Sequence, residues 1–142
     1  MAIERITSKG QLVPLKFYDD AVDASLTDQQ MSVNETAATG IHLVDGYTMP
    51  FAGSIVAVTA DLDSAATVGT LSVGATIGGT EDANTTIAIT TLATHSKVIG
   101  RRVVEFAAGD IIGAEITSGG TWNGTASDLL VVVWVLLQLE NI

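Results

Sequence analysis

The sequence predicts a single all-β domain, and composition, turn spacing and the lack of a helical period all point to it. Of 142 residues, 47% are hydrophobic, and these are mainly Val, Ile, Leu and Ala, while Thr, Ser and Gly dominate the polar set. β-branched residues favour strands, and a chain of this length suits one domain with one core. Turns rich in Gly, Thr and Asp separate the expected strands at roughly ten-residue spacing. That spacing is typical of β-sandwiches and barrels.

The clearest strand signal is the stretch from Thr70 to Ile77. Here Leu71, Val73, Ala75 and Ile77 point one way and polar residues the other, with Gly78-Gly79 closing the strand. The other expected strands are 54–62, 85–90, 98–106, 111–117 and 129–139, preceded by weaker candidates at 31–35, 41–44 and 47–51.

The last apolar run, Leu129 to Leu137, needs a separate decision because a buried helix is also continuously apolar. Its centre, 131–135, is rich in valine, which is stiff at χ1 and suits a pleated surface. The run is also about half the ~20 residues that a membrane helix needs. We therefore expect a strand, buried on both faces and central in its sheet.

No helical segment is long enough to cross between parallel strands, so the sheets should be antiparallel. The sequence predicts a jelly-roll β-sandwich of about seven or eight antiparallel strands over residues 26–142. An immunoglobulin-like sandwich is the alternative.

Residues 1–25 show no sustained period and are expected to form an extended N-terminal arm, with one short strand around Gln11 to Leu15. The alternative is a frayed terminus. If the arm orders on a partner, its contact residues are expected to be Arg5, Lys9, Leu12, Val13, Lys16 and Phe17.

The formal net charge is −10, which argues against binding to nucleic acid or to an anionic membrane. No Lys or Arg lies between Phe17 and Ser96, so the body is acidic while the N-terminal segment is locally basic. This asymmetry would let the arm dock on an acidic neighbour, including another copy of the chain.

A second basic cluster contains Lys97, Arg101 and Arg102. In the expected strand 98–106 the two arginines point to opposite faces. They form either an exposed edge, with a salt bridge to Glu105 or Asp110, or a contact between subunits.

Catalytic and cofactor motifs are missing from the sequence. It has no Cys and two His, of which His42 lies in a short apolar run and His95 in an expected loop. No Gly-x-Ser-x-Gly elbow occurs, and the glycine spacings match neither a dinucleotide site nor a P-loop. We therefore expect no enzymatic activity and no cofactor.

Two further features have a structural and a functional interpretation. Asp61 and Asp63 face one side of a strand, but without a calcium-binding loop pattern they are expected to be solvated acids and not a metal site. Trp122 lies in a Gly-rich loop, where a lid over the end of the core is favoured over a carbohydrate-stacking ring.

Several strand ends and turns carry a resemblance to known proteins. They are Gly53-Ser-Ile-Val-Ala-Val, Thr70-Leu-Ser-Val, Ile77-Gly-Gly-Thr80, the stretch from Phe106 to Trp122, and Ser127-Asp-Leu-Leu-Val-Val-Val. Over about residues 50–140 the chain resembles small structural domains of tailed phages, among them the capsid decoration (cement) proteins.

The resemblance implies a jelly roll that trimerises on the outside of the expanded capsid, with an arm reaching a neighbour. The expected function is therefore that of a cement protein on the virion exterior, whose partners are the major capsid protein and its own copies in a homotrimer. A carbohydrate- or receptor-binding module of a tail or head fibre is the alternative. A small β-sandwich hydrolase has the weakest support.

Overall fold

The computed structural model describes residues 10–33, 46–89, 94–125 and 127–139, and within these ranges every regular element is a strand. None of the residues in these ranges forms a helix that could cross a membrane. The strands are β1 (Gln11–Asp19), β2 (Gln29–Gln30), β3 (Tyr47–Thr48), β4 (Gly53–Leu62), β5 (Leu71–Ile77), β6 (Thr80–Glu81), β7 (Ile87–Ile89), β8 (Thr94–Val98), β9 (Glu105–Phe106), β10 (Ile111–Ser118) and β11 (Leu129–Leu137).

The strands form two antiparallel sheets, an arrangement consistent with a β-sandwich, and the all-β prediction is confirmed. The front sheet has the order β1-β11-β4-β8, with β9 also paired to β4. The back sheet has the order β2-β10-β5-β6, with β3 paired to β10 and β7 to β5. β11 is central in its sheet, as its sequence predicts.

The core lies between the two sheets and follows the alternation of each strand. Val131, Val133 and Val135 of β11 have no exposed surface, and neither do Ile112 and Ile116 of β10. Alternate residues of the same strands therefore face outward. In β5 the predicted inward set is confirmed for Leu71, Val73 and Ala75, which are buried, while Ile77 is half-buried.

The β5–β6 hairpin closes at the two glycines that the sequence singles out. Gly78 and Gly79 have φ angles of 61° and 82°, and Ile77 pairs with Thr80 across them. A two-residue turn with positive φ at both positions matches the twist of the flanking strands, and glycine adopts it without steric cost.

The expected strand 98–106 is wrong in its middle. β8 ends at Val98, β9 begins at Glu105, and a turn between them is closed by the Val103 N–H donating to the Gly100 carbonyl at 3.2 Å. The interruption lies beside a bulge in β4, where the pairing with β11 shifts register between Trp134 and Val135. Because a bulge disrupts the ladder locally, the chain leaves β4 there and rejoins it.

Within residues 10–25 of the predicted N-terminal arm, Gln11–Asp19 form strand β1 and residues 20–25 form bends and turns. β1 pairs with β11 along its whole length, from Gln11 opposite Leu137 to Asp19 opposite Leu129, so it is longer than the short strand expected around Gln11 to Leu15. Alternate side chains of β1 enter the core, which holds the strand in place. Residues 1–9 lie outside the described ranges, and for them the arm stays a prediction.

Candidate interaction surface

The outer face of the front sheet is formed by the outward-facing residues of each strand, which are every second residue. On β11 the outward residues alternate with the buried valines, and the register lines them up with outward residues of β1, β4 and β8. The resulting cross-strand rows are Leu12–Leu136–Ser54–Glu105, Pro14–Trp134–Ala57–Val98, Lys16–Val132–Thr59–Ser96 and Tyr18–Leu130–Asp61–Thr94.

The apolar residues of the first two rows form a patch, which Ser54 and the exposed Glu105 border at the end of the first row. Leu12 is 55% exposed and Val98 is 84% exposed, while the indole of Trp134 between them is half-buried. A contiguous exposed apolar surface on a soluble domain typically marks an interaction site, and tryptophan is enriched among the residues that dominate binding energy. The patch consists of Leu12, Pro14, Ala57, Val98, Trp134 and Leu136.

Away from the patch the same face becomes polar and then acidic. Most of the last row, together with the strand ends and turns next to it, lines a cleft of about 320 Å³. Its lining combines apolar residues with five aspartates, namely Asp19, Asp20, Asp61, Asp63 and Asp128. Asp61, in β4, and Asp63, in the bend after β4, thus both line this cleft.

The acidic residues of the cleft bond mainly to the local backbone. The Asp128 N–H donates to Asp63 Oδ1 at 3.2 Å, and the Ala21 N–H donates to Asp128 Oδ1 at 3.1 Å. A hydrogen bond with Asp128, together with its negative charge, raises the pKa of the Asp20 carboxyl. Across the described ranges, no three or more His, Cys, Asp or Glu residues are placed to hold a metal ion.

The second basic cluster flanks Val98 of the patch along the chain. Arg101 and Arg102 are both exposed on the turn after β8, and Arg102 has a φ of 63°. The expectation that they occupy opposite faces of a strand is wrong, because this segment is a turn. Lys97 is in β8 itself, and its Nζ donates to the Thr86 carbonyl at 3.1 Å.

The predicted contact residues of the arm divide according to the alternation of β1. Leu12 and Lys16 lie on the outer face, with Leu12 in the patch and Lys16 in the next row. Val13 packs against the core, and Phe17 has no exposed surface. The Phe17 ring meets Tyr47 edge to face, with 5.5 Å between centroids, so it is a core residue and offers no surface to a partner.

Arg5 and Lys9 lie outside the described ranges, as does His42. His95 is placed in β8, opposite Ala60, where the sequence led us to expect a loop.

Trp134 is the surface residue that the sequence did not reveal. A strand buried on both faces was expected, but the outward face of β11 is only partly covered by the chain itself. The available signal was the continuous apolar run, since a strand of an antiparallel sheet usually alternates when one face meets water. Trp122, in contrast, is 4% exposed and donates from Nε1 to the Val22 carbonyl at 3.1 Å, which confirms the lid interpretation.

No protein-family model matches this chain. No curated protein matches it either.

Proposed function

We propose that this chain is a non-enzymatic capsid decoration protein, which binds the outer surface of a major capsid protein lattice and stabilises the mature shell. The observation that carries the proposal is the apolar patch, an uncharged, partly exposed surface on a chain whose net charge is −10. It is built on paired strands, so little order is lost when a partner covers it. A surface of this kind suits a protein partner.

The affinity of a single patch would be modest. Apolar area contributes about 25 cal/mol per Å², whereas association costs on the order of 4–15 kcal/mol in lost freedom. We therefore propose a homotrimer, since several patches on one particle raise avidity without new contacts. Binding to the expanded shell alone would stabilise that state by linkage.

We propose further that the two sheets belong to a jelly roll and that residues 1–9 form an arm. Gln11 is the first residue of β1, and Leu12 already belongs to the patch. An arm that leaves Gly10 would therefore begin beside the patch. Arg5 and Lys9 would bring positive charge to an acidic surface on the same partner or on a neighbouring copy.

A carbohydrate- or receptor-binding module of a phage tail or head fibre is the alternative. Trp134 favours it, because an aromatic ring on a flat sheet face can stack on a sugar. The burial of Trp122 removes the ring that the sequence offered for this role.

A binding assay to expanded tailed-phage capsids, stripped of their own decoration proteins, tests the proposal. Leu12→Glu should weaken binding at least tenfold, because it places a charge in the buried contact. Val68→Glu is the matched control, since Val68 is also 55% exposed but lies in the turn after β4, outside the patch. Equal binding by both variants would overturn the assignment of the surface. Glycan-array binding by a chain that ignores all capsids would establish the alternative.

A further inference from the structure

The outer face of the back sheet holds two adjacent carboxyl groups, from the buried Glu115 and the half-buried Glu81. Glu115 of β10 points away from the core, since its neighbours Ala114 and Ile116 face inward, yet Glu115 is only 5% exposed. It is covered by side chains from adjacent strands. Gln30 of β2 donates from Nε2 to Glu115 Oε2 at 3.0 Å.

The second carboxyl group, from Glu81 of β6, reaches Glu115 across β5. Gly74 is the cross-strand partner of Glu115, and a Cβ added to Gly74 would overlap the Glu81 carboxylate. The missing side chain at Gly74 thus makes the room in which Glu81 lies. Thr86 Oγ1 donates to Glu81 Oε1, and this hydrogen bond also fixes the position of the Glu81 carboxylate.

The charged groups that act on Glu115 are both negative. They are Glu81, which also hydrogen-bonds to it, and Asp28, which precedes β2. Gln30 is neutral, as is Thr76, whose Oγ1 donates to Gln30 Oε1 at 3.3 Å. Burial, then Glu81 and Asp28, raise the pKa of Glu115 to about 7, against the opposing effect of the Gln30 hydrogen bond.

Lys97 is the charged group on the Thr86 side of the pair, where its Nζ donates to the Thr86 carbonyl at 3.1 Å. Two adjacent carboxylates repel each other when both are ionised, and one shared proton relieves the repulsion. We propose that Glu81 and Glu115 form a proton-dependent clamp, which holds β6 on the back sheet while the pair carries a proton and releases it when both groups ionise. The clamp requires only the folded chain and is independent of the proposed function.

The structure also limits how far the release extends. β6 is attached through the pairing of Thr76 with Glu81 and of Ile77 with Thr80. Directly after it, Thr85 is fully buried, accepts from the Ala75 N–H at 2.8 Å and donates to the Asp82 carbonyl at 2.7 Å. These hydrogen bonds of Thr85 do not involve Glu81 or Glu115. The release of β6 from the back sheet should therefore extend no further than Asp82.

Residue-resolved amide hydrogen exchange tests the clamp. The Asp82 N–H donates to the Ala75 carbonyl at 3.1 Å, and its protection, corrected for intrinsic exchange, should fall at least tenfold between pH 6 and pH 8. In Glu115→Gln, which mimics the protonated acid, it should stay constant. The Thr85 N–H should stay protected in both chains. Glu105→Gln is the matched control, because Glu105 is an exposed glutamate of the front sheet and its loss should leave the wild-type profile intact.

Equal pH profiles of Asp82 protection in the wild type and Glu115→Gln would overturn the clamp. A carboxyl-carbon NMR titration of the wild-type chain is a second, independent test of the clamp and needs no variant. Glu115 should titrate near neutral pH, and titration of Glu115 below about pH 5 would overturn the proposal.

Discussion

Pro14 and Trp134 are cross-strand partners on the outer face of the front sheet. Proline lacks an N–H and is confined largely to edge strands, and β1 is the edge strand here. Tyr18 lies four residues after Pro14 in the same strand, so its backbone N–H points to the same side of β1. This N–H points away from β11 and donates to the Ser32 carbonyl at 2.7 Å. The missing N–H of Pro14 therefore falls on the open side of β1. The same residue adds apolar surface beside Trp134 and removes a donor from the edge, which discourages addition of a further strand.

The two tryptophans should respond differently to truncation. Trp122→Ala removes a buried ring and its hydrogen bond to Val22, so we expect a loss of about 3–5 kcal/mol in the free energy of unfolding. Trp134→Ala should cost at least about 2 kcal/mol less, because its ring is half-buried. Urea denaturation of both variants checks this. Equal losses would mean that Trp134 serves the core and is no surface residue.

Removal of N-terminal residues should separate the arm from β1. Deletion of residues 1–9 should leave the free energy of unfolding unchanged and weaken binding to capsids. Deletion of residues 1–20 should destabilise the domain strongly, because it removes Leu15 and Phe17 from the core and exposes the flank of β11. Denaturation, capsid binding and light scattering of the two truncated chains report these effects. A stable domain without residues 1–20 would contradict the role of β1.

Single substitutions in β1 give a finer test of the same strand. Phe17→Ala removes a fully buried ring that packs against Tyr47, with an expected cost of about 3–5 kcal/mol. Lys16→Ala, one residue away on the exposed face, should stay within about 0.5 kcal/mol of the wild type. Thermal denaturation of both variants provides the measurement, and a neutral Phe17→Ala would disprove the packing.

Global stability should fall as pH rises towards neutrality. The pKa of Glu115 is raised from 4.5 to about 7 in the folded chain, so between these values the folded state binds more protons than the unfolded state. Because stability falls with pH wherever the native state binds more protons, this contribution is complete below pH 4.5 and lost above about pH 7. Urea denaturation at intervals from pH 4.5 to pH 8 measures it. The slope should be smaller in Glu115→Gln, and a wild-type slope no steeper than that of this variant would refute the expectation.

Gly74→Ala should act on the carboxyl pair indirectly. The new methyl group would overlap the Glu81 carboxylate and force it away from Glu115, at an expected cost of about 1–3 kcal/mol. The pH dependence of stability should shrink as well, since the two acids are separated. An unchanged pH dependence measured by the same denaturation series would show that Glu81 does not need this space.

The sequence allowed the strand class, the inward set of β5 and the central position of β11 to be predicted, since each depends on local periodicity. It did not allow the turn after β8 to be predicted, because the bulge in β4 that accompanies it is a property of pairing. The length of β1 was underestimated because, in the second half of this strand, only Leu15 and Phe17 are apolar residues that face the core. Two such residues are too few to show an alternating pattern.

The candidate surface was harder to predict than the fold. Leu12 and Lys16 were identified, but Trp134 was hidden within a continuous apolar run that shows no alternation. The Glu81–Glu115 pair has no sequence signature at all. Its members come from different strands, and only the register of β5 and β10, with a glycine at the crossing, brings them together.

The pairing of β1 with β11 joins the first and last strands of the described chain. During synthesis β1 therefore emerges long before β11, and the front sheet cannot close until residues near 137 have left the ribosome. Its inward residues, among them Phe17, remain exposed for all of that interval. Such non-local pairing makes folding slow, so we expect the domain to fold in one late step once β11 has emerged.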